Sequence, residues 1–182
     1  MDQTRTANRL LLENAVTALA YWGVSHINYL LFKHVGVLPM PIWPAAALAF
    51  VVAFYRGWSI APGIALGTVL ANHFSLHSSW SYACLIAVMN TLGPLAGAAI
   101  MRKRVAREIL IRTLADVLVC CFAALILAPA LTALGGIGFK WLLGLIQSGE
   151  VATAYIKWAL AHSLGTLLFA LPAFAWLKGR KT

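Results

Sequence analysis

The sequence predicts an all-α integral membrane protein: a bundle of about six transmembrane helices with N-terminus and C-terminus both cytoplasmic. Three observations carry this. Of 182 residues, 62% are hydrophobic and only 10% charged, against roughly 25% charged in an ordinary soluble domain. A chain of this size has no core large enough to hide so much apolar surface, and a lipid-facing exterior is its natural outlet. The apolar residues come in runs near the length of about 20 that a membrane helix needs. Finally, the basic residues alternate in density from one gap to the next, as topology signals do.

The first run covers 10–32. Arg5 and Arg9 precede it and "ALA" at 18–20 mimics a cleavage site, but Glu13 interrupts the apolar stretch and argues against a cleaved leader. The second and third runs, 42–55 and 58–74, are separated by "YRG", read as a tight cytoplasmic turn in which Gly57 frees the backbone and Trp58 anchors at the interface. Pro44 and Pro62 sit in first helical turns, where a missing N–H costs nothing. At about 1.5 Å per residue the second helix reaches only about 21 Å, short of the bilayer core of about 30 Å. "LPMPIWP" must therefore dip into the membrane, which irregular backbone does only against protein or a wet cavity. The fourth run is 80–101, the fifth 113–134 and the sixth 151–177; between the last two, "GGIGFKWLLGLIQSGE" reads as an interfacial helix. With the N-terminus inside, 11 of the 14 Lys and Arg residues are cytoplasmic, leaving Lys33, Lys140 and Lys157 outside. The whole chain, 1–182, is read as one membrane-embedded domain with no soluble output domain.

Net charge +9 could suggest nucleic acid, but the basic residues form short clusters between apolar runs and make no basic, aromatic-interleaved face. Cys84, Cys120 and Cys121 are odd in number and lack CxxC spacing, so they read as buried small hydrophobes rather than a disulfide or zinc framework. No Gly-rich phosphate loop, nucleophile elbow, catalytic carboxylate pair or HExxH is present, and the expectation is a protein that is not an enzyme.

Polar groups within spans are functional candidates by default. Asn90 and His162 lie mid-span and are expected to face the bundle interior, either bonding a neighbouring helix or serving a ligand. His26 shares a helical face with Trp22 and Tyr29, an aromatic packing arrangement. His73 and His77 have the i,i+4 spacing of a metal pair if the helix continues through both, but lack acidic or cysteine partners. Haem held by two of His26, His73, His77 and His162 is a conceivable alternative; the expectation is no metal and no cofactor. Arg9 with Glu13 and Arg112 with Asp116 read as i,i+4 ion pairs. The GxxxG motifs "GIALG" at 63–67 and "GPLAG" at 93–97 read as helix-packing faces.

"IWPAAALAF", "YRGWSIAPGIALGTVLAN", "NTLGPLAGAAIMRKR", "LADVL" and "KWALAHSLGTLLFALP" occur in that order. Together they resemble the motifs of the first family of bacterial membrane-associated sensor domains, the N-terminal membrane module of diguanylate cyclases and histidine kinases. The resemblance covers roughly 38–177 and implies a sensory or scaffolding module in the bacterial inner membrane. Members usually have about eight helices, and this chain is shortened to about six. In the sixth-helix motif His162 stands where the family usually carries an acidic residue. The expected function is a sensory or regulatory membrane module that binds a small ligand or membrane partner and passes a signal to a cytoplasmic domain or separate protein. The alternatives are a substrate-binding subunit of a modular small-solute transporter and a structural accessory subunit. The ligand site is expected between the second, third, fourth and sixth helices at Trp43, Asn72, Asn90 and His162. Arg102, Lys103, Arg104 and Arg107 form the expected cytoplasmic basic surface. The expected partners are membrane lipids, a signalling or membrane protein and a possible second copy of the chain.

Overall fold

A computed structural model describes residues 3–34, 40–105 and 113–179. All elements among them are helical: α1 (Gln3–Phe32), α2 (Pro44–Arg56), α3 (Ala61–Leu70), α4 (Trp80–Arg104), α5 (Leu114–Cys121), α6 (Ala128–Leu142) and α7 (Val151–Gly179). Two 3-10 turns, Gly57–Ile60 and Ser148–Glu150, lead into α3 and α7, and wide π-helical turns, Ala71–Ser75 and Phe122–Leu127, extend α3 and join α5 to α6. Among the described residues, four stretches are long and apolar enough to cross a membrane: Pro44–Ser75, Trp80–Arg104, Leu114–Leu142 and Ser148–Leu177. α1 is 30 residues long but is not among them; its first half carries Arg5, Arg9, Glu13 and Asn14.

Pro44–Ser75 is not one straight rod. Against α1, α2 runs antiparallel, with Ile42 bonded to Asn28, Trp43 to Tyr21 and Arg56 to Glu13. α3 then runs parallel to α1, with Gly63 bonded to Asn14 and Ser75 to Trp22 and His26. The reversal is made at Gly57, whose φ of 65° and ψ of −141° suit glycine and few other residues. Its amide bonds Ala53 O, while Arg102 of α4 donates to Ala53 O at 3.0 Å and Phe54 O at 3.3 Å. A cation thereby closes the negative end of α2. Asn14 does the corresponding work at the start of α3, donating to Ser59 O at 2.9 Å and accepting from Gly63 N at 2.7 Å.

The centre of the bundle is α2 with its alanines 45, 46, 47, 49 and 53, all buried. Small side chains let α4 and α7 approach closely, and Phe50 and Phe54 meet Phe174 edge-on. Gly93 and Gly97 place α4 directly against the backbone of Ala128 and Ala123, so this GxxxG is a packing face. Leucines exposed on α1, α5, α6 and α7, such as Leu11, Leu31, Leu118, Leu134, Leu142 and Leu171, form the exterior that lipid must cover.

Two expectations need correction, and a conditional one is decided. The segment from Gly135 to Glu150 is not an interfacial helix: α6 continues to Leu142 before a short turn. Its glycines are contact points, Gly135 against Met89 and Gly136 against Trp158 and Ile86, rather than breakers. The cysteines are not buried; Cys84 and Cys121 are exposed and Cys120 half-buried, because an apolar run in a membrane helix can face lipid as readily as protein. The helix does not continue through His77, which has a left-handed φ of 53°, so His73 and His77 do not form a helical pair. Instead His73 stacks on Trp80 at 3.7 Å and His77 meets Tyr29 edge-on.

Candidate functional site

The helix α2 starts deep in the bundle. Its 13 residues span about 20 Å, and its first turn is seated on the middle of α7, where Trp43 N donates to Ala161 O at 2.9 Å. Gly165 makes that seat possible, because a side chain there would run into the Trp43 backbone. The Trp43 indole donates to Tyr21 Oη at 3.3 Å, and Asn90 of α4 donates to the same hydroxyl at 3.4 Å. One tyrosine thus joins α1, α2 and α4 at mid-depth, and Asn72 is tied into α3 by donation to Thr68 O at 2.9 Å.

Above this level, at the end where α1 finishes and α7 begins, lies a cavity of about 800 Å³. Trp43, Asn72, Asn90 and His162, singled out from the sequence, all line it. Its lower part is aromatic: the His162 ring is stacked between Trp43 at 6.1 Å and Trp158 at 5.5 Å. His162 Nδ1 lies 3.1 Å from Trp158 O; a carbonyl only accepts, so Nδ1 carries the proton and Nε2 of the neutral ring is left as an acceptor. His162 Nε2, Asn90 Oδ1 and Trp158 Nε1 are buried with no hydrogen-bond partner among the described residues. Buried polar atoms are nearly always satisfied, so three orphans on residues that line one cavity are unusual: two acceptors and one donor, each turned away from the open space and closed off by its neighbours.

The upper part differs. Lys33, Lys140, Lys157 and Glu150 line it, and Lys140 Nζ lies 5.6 Å from the Tyr82 ring and 5.7 Å from the Trp158 ring, within cation–π range. Sequence reasoning missed Trp158 and these lysines as wall residues, since it treated Lys33 and Lys140 only as topology signals. His26 is packed as expected on Trp22 and Tyr29 and also contacts Ser75 Oγ at 3.0 Å.

The proposed basic surface lies at the opposite end. Arg102 is turned inward to close α2, Arg104 pairs with Asp116 at 2.7 Å, and Lys103 is exposed; Arg107 and Arg112 lie outside the described residues. Asp116 also completes a capping box with Thr113 at the start of α5. Glu13 gathers both Arg9, at 3.0 Å, and Arg56.

No curated protein and no solved structure matches the sequence. A family model does: residues 11–182 match MASE1. With a helical bundle of membrane-spanning length and nearly the whole chain covered, this protein belongs to the MASE1 family, the membrane-associated sensor 1 domains.

Proposed function

We propose that this chain is a non-enzymatic sensory module of the bacterial inner membrane, which binds a small molecule in the cavity above α2 and relays its occupancy to the opposite face. The observation that carries the reading is the set of buried, unpartnered polar atoms of His162, Asn90 and Trp158 on the cavity wall. A side-chain rotation that turns these atoms from the closed interior onto a ligand recovers the desolvation cost of about 1–3 kcal/mol that each leaves unmet. In the proposed topology α1, the α2–α3 hairpin, α4, the α5–α6 rod and α7 make six membrane segments, α2 reaching only from mid-depth to the inner face. Both termini are then cytoplasmic, with most of the basic residues. α2 is the relay: Trp43, the residue that caps its start, lines the cavity, and its last turn is held by Arg102 and by the Arg56–Glu13 pair. Movement of Trp43 is thereby passed to the inner surface, where a cytoplasmic domain or a separate protein receives it.

Native mass spectrometry of protein extracted gently from its own membrane tests this. A retained small molecule, lost when Asn90 and His162 are both replaced by Leu, together with a co-purifying signalling protein, is the expected result. An empty cavity with only a transport ATPase or a large membrane enzyme attached would replace it with the transport or the structural reading.

A further inference from the structure

The three basic residues that the charge pattern leaves off the cytoplasmic side, Lys33, Lys140 and Lys157, come from three separate parts of the chain. The fold brings all three to the wall of one cavity. Among the described residues none is in an ion pair; the three pairs formed there belong to Glu13 and Asp116. Glu150 also lines the cavity, and its carboxylate accepts from the Gln147 amide at 3.2 Å. Three lysines therefore face one carboxylate, and beneath them the wall turns aromatic and then neutral and polar.

Resting on the sensory reading above, we propose that the cavity selects an amphipathic organic anion: a carboxylate or phosphate held by Lys33, Lys140 and Lys157, an apolar or aromatic body against Trp158 and Trp43, and a hydroxyl or N–H donor toward His162 and Asn90, whose side chains turn to offer Nε2 and Oδ1. Charge complementarity fixes the orientation, head toward the mouth and donor toward the floor. Length follows from α7, because Lys157 and His162 are five residues apart, about 7.5 Å of helix rise. The anion is thus a compact aromatic acid, or the headgroup region of an anionic phospholipid presenting the same chemistry from the outer leaflet.

The test uses the full chain in nanodiscs of phosphatidylcholine, with tryptophan fluorescence as readout and three probes that share a phenol: 4-hydroxyphenylacetate, the neutral 4-hydroxyphenethyl alcohol, and tyramine. The acid is expected to bind at least tenfold more tightly than the alcohol or the amine, with a preference that shrinks as salt rises. Replacing Lys33, Lys140 and Lys157 by Gln should level the three affinities, while His162→Leu should weaken acid and alcohol together. In a second arm, nanodiscs with phosphatidylglycerol, loss of acid binding together with lysine-dependent retention of phosphatidylglycerol in native mass spectra identifies a lipid as the source of the anion. Equal binding of the acid, alcohol and amine overturns the anion assignment and leaves a ligand-binding cavity in place. No binding of any probe, with no lipid retained, overturns both.

Discussion

Gly165 is where the seat of α2 can be broken with least chemistry. An ideal Cβ on Gly165 would lie 2.5 Å from the Trp43 carbonyl carbon and 3.1 Å from Pro44 N, both rigid backbone atoms. The Trp43 carbonyl oxygen is nearer still, so reaching the 3.4 Å of ordinary contact requires the two helices to separate by about 1.3 Å, and forced overpacking of this kind costs about 1–3 kcal/mol. The same movement stretches the Trp43 N to Ala161 O bond from 2.9 Å to about 4.2 Å, beyond hydrogen-bond range, at a further cost of about 0.5–1.5 kcal/mol. Gly165→Ala should therefore lose about 1.5–4.5 kcal/mol in reversible unfolding by sodium dodecyl sulfate from mixed micelles, followed by tryptophan fluorescence. Hydrogen exchange at the Trp43 amide should accelerate. Gly138→Ala is the control: nothing lies within 4 Å of its Cβ position, and removing a helical glycine should stabilise by about 0.5–1 kcal/mol. A Gly165→Ala protein as stable as the parent, with Trp43 still protected, would refute the close seating of α2 on α7.

Three further outcomes follow from the same geometry. His162→Leu removes one bond within α7, to Trp158 O at 3.1 Å, and leaves an orphaned nitrogen out altogether, so unfolding stability should change by no more than about 1.5 kcal/mol while the bound molecule is lost; a variant that cannot fold would make His162 a structural bridge instead. Glu13→Gln breaks the contacts to Arg9 and Arg56, but these side chains are partly exposed, so the loss should stay below about 1 kcal/mol per pair and shrink with salt; a loss that salt does not alter would point to a dry, buried cluster. Cys84 and Cys121 are exposed on apolar helices and should react with a membrane-soluble maleimide in cells but not with a charged methanethiosulfonate, whereas labelling by the charged reagent would place them against water.

The bundle was legible wherever composition alone decides: the apolar runs, the proline-marked starts of α2 and α3, and the reversal at Gly57. Of the four residues that line the cavity, Asn90 and His162 were visible because a polar side chain within a span needs a reason to be there, and Trp43 and Asn72 because they lie in short, proline- and glycine-interrupted segments. What stayed hidden depends on which neighbour a residue meets. Gly135 and Gly136 open the stretch read as an interfacial helix, yet they are where α6 fits against Met89 and Trp158. The cysteines looked buried because hydropathy does not distinguish a protein face from a lipid face. Lys33, Lys140 and Lys157 carried no signal beyond topology, since their convergence on one cavity depends on how the ends of α1, α6 and α7 come together. Asn14, which fixes the start of α3 through Ser59 and Gly63, sits in a helix whose charges drew attention to Glu13 instead.

The central claim is a cavity that opens on the outer face of the membrane, with the basic end of the bundle inside. With the three native cysteines replaced by Ala, single cysteines at Ser78 and Thr153, both on the cavity wall, and at Lys103, exposed at the opposite end, can be labelled in intact cells with a membrane-impermeant maleimide. Labelling at positions 78 and 153 without permeabilisation, and at 103 only after it, is the predicted result; labelling at 103 from outside, with 78 and 153 protected until the cells are opened, would contradict it.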